Sequence, residues 1–329
     1  MINQPAIELK QVTKIYTTQP LSGVQSISLS IQAGTITVIA GASGSGKSTL
    51  IKLISGLMSP DSGEVNYQGK HVAGPSEKLI PGHDAMKTVA QDFNLNIYAK
   101  VYDNIAGLLS NTDIKGKQRK AFEVMEFLRI DHLAQKRAVD LSGGEQQRVA
   151  IARAIITGPE VLLLDEPFSQ VDAMFKNELR ADIRRMATYL GITVILVSHD
   201  PLDGLSLADN MVIIKDGRLV EEGSPYDLYN HPKDLYTATL LTNCNVLPKE
   251  DAAAIGIFSE KDTIVIYPEW MVFNGRGLNY YIKDCLFKGF HEELVLEYEG
   301  VVLRALSHSP GTYKKGHWVQ AEITRFHDY

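Results

Sequence analysis

Gly41, Ala42, Ser43, Gly44, Ser45, Gly46, Lys47, Ser48 and Thr49 follow the spacing G-x-x-x-x-G-K-[ST]. Residues of these types in this order suit the phosphates of a nucleoside triphosphate. Glycines let the backbone curl until successive N–H groups point inward at phosphate oxygens. A helix beginning at the lysine adds its positive end to the same anion. Lys47 can reach the β- and γ-phosphates as a point charge, and the Ser48 hydroxyl can face Mg2+.

Two further groups carry chemistry. Residues 161–164 are wholly apolar and end in Asp165, Glu166 and Pro167. A carboxylate at a strand tip beside a phosphate loop can hold Mg2+ through water, which suits Asp165. Glu166 is placed to polarise an attacking water as a general base. Leu141, Ser142, Gly143, Gly144 and Glu145 then open a helix. Ser142 is a natural N-cap, and Glu145 three residues on completes a capping box. Capping alone does not call for two consecutive glycines. Those let a backbone approach an anion at a helix N-terminus, which makes a second phosphate site.

The elements that must position these groups alternate short apolar runs with helix-length segments, the pattern of an α/β domain. The sequence predicts buried strands over 35–40, 161–164 and 192–197. It predicts helices over 47–57, with Leu50, Ile54 and Leu57 on one face, and over 145–157, ended by Gly158 and Pro159. Another helix over 176–190 closes at Gly191. Asp216 and Gly217 mark a hairpin between 211–214 and 218–220. A helix is expected over 234–241. Beyond Pro248 the alternation stops, and strands over 263–267, 279–287, 293–298 and 301–306 indicate a small all-β domain, with a turn at Glu299 and Gly300.

Composition bounds what such a chain can be. Its 329 residues suggest two domains, and 44% hydrophobic with 22% charged content is ordinary for a globular protein. The net charge of -6 and the absence of a dense Lys/Arg run speak against nucleic acid as a partner. Cys244 and Cys285 exclude a disulfide framework, fit a reducing compartment and read as buried small hydrophobes. No secretory leader is expected in 1–10, and no apolar run approaches the roughly 20 residues needed to span a bilayer. His308, His317 and His327 have no zinc spacing and read as surface or structural residues.

With these motifs in order, the chain resembles the ATP-binding subunits of ABC transporters, importer type, over 1–240. Residues 141–145 look like the family's signature motif. The resemblance implies a P-loop nucleotide-binding domain of α/β class, with a mixed sheet and a helical subdomain at about 92–158. In that family two copies pair head-to-tail, and ATP lies between the phosphate loop of one and the signature of the other. The resemblance further implies that Tyr16 stacks on adenine and that Gln91 contacts Mg2+ and senses the membrane partner. It places Asp172 in the D-loop and gives His199 the γ-phosphate. Residues 241–329 resemble, more loosely, the OB-like TOBE domain appended to importer ATPases for sugars, polyamines, ferric iron and some anions. That domain supports dimerisation and sometimes binds a regulatory ligand.

By the same resemblance the chain is expected to be an ATPase using ATP and Mg2+, peripheral to the cytoplasmic face of the inner membrane. Its partners would be a second copy, integral permease subunits and, indirectly, a solute-binding protein, with no nucleic acid. Three departures stand out. Glu145 occupies a place where many members carry Gln. The D-loop reads Ser169, Gln170, Val171, Asp172 rather than the commoner Ser-Ala-Leu-Asp or Ser-Asn-Leu-Asp. The segment 92–100 lacks the usual Pro-His. A soluble ABC ATPase acting on nucleic acid or ribosomes would need a long coiled coil or a second phosphate loop, and the interval from Lys47 to Ser142 holds only a helical subdomain. An exporter subunit is disfavoured by the β tail. A binding-only regulator is disfavoured by the joint presence of Gln91, Glu166 and His199.

Overall fold

The computed structural model describes residues 4–16 and 23–329. The chain divides into two compact units, 1–228 and 229–329; the sequence suggests a division at 240. The expectation of no leader touches residues 1–3, outside the described residues.

The first unit contains, in chain order, β1 (Ile7–Ile15), β2 (Gly23–Ile31), β3 (Ile36–Ala40), α1 (Lys47–Ile54), β4 (Ser62–Tyr67), β5 (Lys70–His71) and β6 (Met86–Val89). There follow α2 (Val101–Ala106), α3 (Ile114–Phe127), α4 (Gly143–Ile155), β7 (Val161–Asp165), α5 (Ala173–Leu190), β8 (Thr193–Ser198), α6 (Pro201–Leu207), β9 (Asn210–Lys215) and β10 (Arg218–Gly223). A helix α7 (Pro225–Asn230) runs across the division.

Six strands form one sheet in the order β10-β9-β3-β8-β7-β6. The five from β9 to β6 are mutually parallel, and β10 returns antiparallel through the turn at Asp216 and Gly217. Strands β3 and β8 are buried at every position, so they read as continuous apolar runs rather than alternating ones. A parallel sheet aligns its strand C-termini along one edge, where ligands of open α/β sheets bind. A second, antiparallel sheet runs β2-β1-β4-β5. Its inward residues, including Ile7, Leu9, Val12, Ile27 and Ile31, share one core with Leu50, Leu53 and Ile54 of α1 and with Ile195 and Val197 of β8.

Helix α1 is shorter than expected. It ends at Ile54 because Gly56 adopts a left-handed φ of 71°, and Leu57 is left exposed rather than on the buried face. Between α2 and α4, helix α3 buries only Ala121 and Met125.

The second unit contains α8 (Leu235–Leu241), β11 (Asn245–Pro248), α9 (Lys249–Ala254), β12 (Thr263–Ile266), β13 (Met271–Val272), β14 (Leu278–Phe287), β15 (Glu292–Tyr298), β16 (Val301–Ser307), β17 (Trp318–Ile323) and β18 (His327–Asp328). Its sheets run β11-β12-β18 and β13-β17-β14-β15-β16, all antiparallel. Its sheets are the small β domain expected from the strand periodicity, with helices α8 and α9 added, and are consistent with the OB-like domain that the resemblance implies. Leu294, Leu296, Leu303 and Ala305 alternate inward and meet Ile264, Ile266, Tyr280 and Ile282 in one core. Buried Asn245 joins the two sheets. Its amide donates to the carbonyls of Ile266 (3.1 Å) and Arg304 (2.9 Å) and accepts from the Arg304 N–H at 2.7 Å. Neither cysteine is fully buried as expected; both are half-buried.

Candidate nucleotide site

Most of the residues expected at the phosphates sit where a parallel strand ends. The phosphate loop follows β3, Gln91 lies two residues past β6, Asp165 ends β7 with Glu166 next, and His199 follows β8. Sheet pairing therefore gathers onto one edge residues far apart in sequence.

The loop is built for backbone curvature. Gly46 caps α1 at φ 102°, and a Cβ there would stand 2.4 Å from the Gly23 carbonyl oxygen. Only glycine combines that dihedral with that approach. Lys47 is buried, and its ammonium donates to the carbonyls of Gly41 (2.9 Å) and Ala42 (2.8 Å), so it folds back across its own loop. Burial lowers its pKa, and the nearby Glu166 and Asp165 carboxylates work in the opposite sense. Ser45 is buried, and its amide closes the turn onto the Ala42 carbonyl at 3.2 Å.

The Ser48 hydroxyl donates to Asp165 Oδ1 at 3.2 Å. Burial raises the Asp165 pKa, with the Ser48 hydrogen bond opposing and the Glu166 charge reinforcing that shift. These hard oxygen donors, one hydroxyl and one carboxylate with Gln91 on the same cleft, fit a Mg2+ ion that takes its remaining ligands from phosphate and water. Among the described residues no cluster of three or more His, Cys, Asp or Glu could hold a metal without such help.

Glu166 takes a left-handed φ of 50°. Its N–H donates to the Val197 carbonyl (3.1 Å), and its carbonyl accepts from Ser169 N–H (3.2 Å) and hydroxyl (2.9 Å). Held so, Glu166 Oε2 meets His199 Nδ1 at 2.9 Å. The segment carrying His199 is itself fixed. Ser198 donates to buried Asp203 (2.6 Å), which pairs with Arg180 at 2.6 Å, and Asp200 caps α6 by accepting from Leu202 N–H at 3.0 Å. Tyr16 approaches Thr49 Oγ1 at 3.3 Å and donates to the Met58 sulfur at 3.4 Å.

A cleft of about 590 Å3 is lined by Tyr16, Gly23, Ser43, Gly44, Gly46, Lys47, Ser48, Thr49, Gln91 and Glu166. Gly41, Ala42, Asp165 and His199 support that lining through the contacts above. The structure does not bring Ser142, Gly143, Gly144, Glu145 or Asp172 into it. Ser142, Gly144 and Glu145 line a separate hollow of about 180 Å3 with Arg148 and Phe175. The capping box expected there is present: Glu145 N–H donates to Ser142 Oγ (3.4 Å), and Ser142 N–H to Glu145 Oε2 (2.8 Å). Arg148, one turn on, donates to the Leu128 carbonyl (2.9 Å) and pairs with Glu178 and Asp182, each at 3.1 Å. Asp172 caps α5 by position without a side-chain hydrogen bond. Sequence reasoning missed Gly23 and Met58, whose roles depend on tertiary approach. It noted Gln170 only as a departure, with no account of its contacts.

Residues 24–169 match the family described as "ABC transporter". Over 247 residues the chain is 40% identical to the Fe(3+) ions import ATP-binding protein FbpC of Pseudomonas fluorescens, covering 74% of this chain and 69% of that one. It is similar in structure to CbiO1 of Clostridium perfringens, part of the ABC transporter complex CbiONQ, with TM-score 0.61, 27% identity and coverage of 68% and 90% of the two chains. It is also similar to the ATP-binding cassette MJ0796, solved as a dimer in a post-hydrolysis state with ADP and Pi, with TM-score 0.58, 26% identity and coverage of 67% and 98%.

Proposed function

This chain belongs to the ATP-binding subunits of ABC transporters, and from that premise we propose that two copies close head-to-tail on two ATP molecules to drive import through separate membrane subunits. The chain is the ATP-hydrolysing subunit of an importer. The observation that carries the pairing is the separation within one chain. Lys47, Ser48 and Glu166 line one cleft, with Asp165 bonded to Ser48 and His199 to Glu166, whereas the capped glycine turn of 142–145 lies at a separate hollow. A second copy supplies what each cleft lacks. The dimer of the similar cassette with ADP and Pi, and the membership of the other in a transporter complex, support this.

In the closed pair, Lys47 leaves the carbonyls of Gly41 and Ala42 for the β- and γ-phosphates, a stronger acceptor for an ammonium. Tyr16 packs on adenine from the rim of the cleft. Ser48, Asp165 and Gln91 would hold Mg2+, which would supply positive charge against the developing negative charge. Glu166 orients and deprotonates the attacking water. His199 keeps the Glu166 carboxylate aimed and then contacts the γ-phosphate. Asp172 and residues 142–145 complete the partner's site. Loss of the γ-phosphate removes the bridge, and the pair reopens.

Residues 1–240 act as the nucleotide-binding domain, with a helical subdomain at about 92–158 that meets the permease, and 241–329 as the TOBE-like domain. No helix among the described residues is long and apolar enough to cross a membrane. From the importer role we place the chain at the cytoplasmic face of the inner membrane, held there by permease subunits. The relative's cargo makes ferric iron the first solute to assay, ahead of polyamines, sugars and oxyanions. The test is capture of tagged Glu166→Gln protein with ATP from detergent-solubilised native membranes, read by mass spectrometry. Polytopic membrane proteins with a solute-binding protein are expected. Recovery of only ribosomes, DNA or soluble partners would contradict the transporter role.

A further inference from the structure

Gln170 stands where the D-loop of the resembled family more often has Ala or Asn, and it makes two contacts, one through its side chain and one through its backbone. Its Nε2 donates to the backbone carbonyl of Gln91 at 3.1 Å. Its own carbonyl oxygen lies against the signature turn, so close that a Cβ on Gly143 would stand 2.4 Å from it. The flanking residues fix its backbone. Ser169 binds the Glu166 carbonyl through N–H (3.2 Å) and hydroxyl (2.9 Å), and Val171 N–H donates to the Phe168 carbonyl at 3.3 Å. Val171 is buried, and a Cβ on Gly144 would meet its Cγ1 at 3.6 Å.

Gln170 thus touches the loop bearing Gln91, which lines the chain's own nucleotide cleft, and Gly143, which lies outside it. It does not line the cleft itself. We propose that Gln170 is a positioning residue that sets Gln91 and the signature turn in one register, so that a chain's own ATP site and the surface it offers to a partner's ATP are adjusted together. This rests on the paired-site reading above. The amide N–H is the operative group. A carboxylate of the same size cannot donate to the Gln91 carbonyl and would repel it.

The test uses the full chain and four variants: Gln170→Ala, Gln170→Glu, Gln91→Ala and the double Gln91→Ala/Gln170→Ala. The readouts are kcat and KM for ATP hydrolysis, binding of a fluorescent ATP analogue and the thermal midpoint. Gln170→Ala and Gln170→Glu should each lower kcat about fivefold or more, the worth of roughly one hydrogen bond. Analogue binding and the thermal midpoint should stay close to wild type, because Gln170 is exposed and outside the cleft. In the Gln91→Ala background, Gln170→Ala should cost little more, since residues acting through one another are not additive. Wild-type kcat in Gln170→Glu, or a full independent loss on top of Gln91→Ala, overturns the proposal. Glu166→Gln, run alongside, separates the two claims. If it halts turnover while the Gln170 variants do not, only the positioning role falls; if the wild-type chain does not turn over ATP, both fall.

Discussion

Replacing Gly143 by Ala adds one methyl at the tightest point between the signature turn and the D-loop. The new Cβ would sit 2.4 Å from the Gln170 carbonyl oxygen, whereas ordinary contacts begin near 3.4 Å, so a backbone must recede by about 1 Å. Such overpacking costs about 1–3 kcal/mol. Alanine in the first helical turn returns up to about 1 kcal/mol of propensity. The net loss of about 3 kcal/mol at most lowers the thermal midpoint of a unit this size by no more than about 12 °C. Catalysis is more sensitive, because a misplacement of about 1 Å in a positioned group can cost on the order of 100-fold. The expected variant is folded, binds ATP like wild type and hydrolyses it on the order of 100-fold more slowly. Steady-state phosphate release and binding of a fluorescent ATP analogue read the two halves. Wild-type turnover would refute the close approach as a constraint, and loss of nucleotide binding by the isolated chain would refute the placement of Gly143 outside its own cleft.

Lys47→Ala should lower ATP affinity by at least about tenfold, the loss expected for a charge-assisted contact worth roughly 1.5–3 kcal/mol; equal analogue binding by variant and wild type would count against the phosphate loop. Asn245→Ala should destabilise the second unit by about 1–3 kcal/mol, since the Ile266 and Arg304 backbone groups lose their partner, and an unchanged denaturation midpoint would contradict that joint. His327 lies edge-on to Tyr267 at 5.6 Å and Trp270 at 4.9 Å, and burial, then the like charges of Arg325 and His231, hold its pKa below the ordinary 6.5. A lowered histidine pKa means that its stabilisation is present above pH 6.5 and is lost as pH falls from there through the lowered value. His327→Phe should flatten that acid loss, which thermal scans at about pH 7.5 and about pH 5.5 would show; an equal loss in both proteins would remove His327 as its source.

Much of the site was legible because its chemistry depends on short, local spacings. The phosphate loop announces itself between an apolar run and a helix start, and the five-residue strand β7 is a bare apolar run with a carboxylate at its tip. Ser142 and Glu145 encode their own cap. What stayed hidden depends on backbone irregularity or long-range approach. Strands β1 and β2 were not foreseen, since register shifts after Leu9 and Val12 and left-handed Gln11 and Ser26 break the two-residue period. Nothing in the sequence says that Glu166 turns left-handed toward His199. Helix α3 buries too few residues to print an apolar stripe. The unusual residue at 170 was visible, but its bond to Gln91 spans 79 positions.

The central claim is that ATP is held between two copies of this chain and hydrolysed with Glu166 as base. Light scattering on purified Glu166→Gln protein, with and without Mg2+ and ATP and with phosphate release followed in the same sample, tests it most directly. The expected result is a species of twice the 36.4 kDa chain mass that forms only with ATP and releases almost no phosphate. A protein that stays at the mass of one chain with ATP, or that turns over ATP at the wild-type rate, would contradict it.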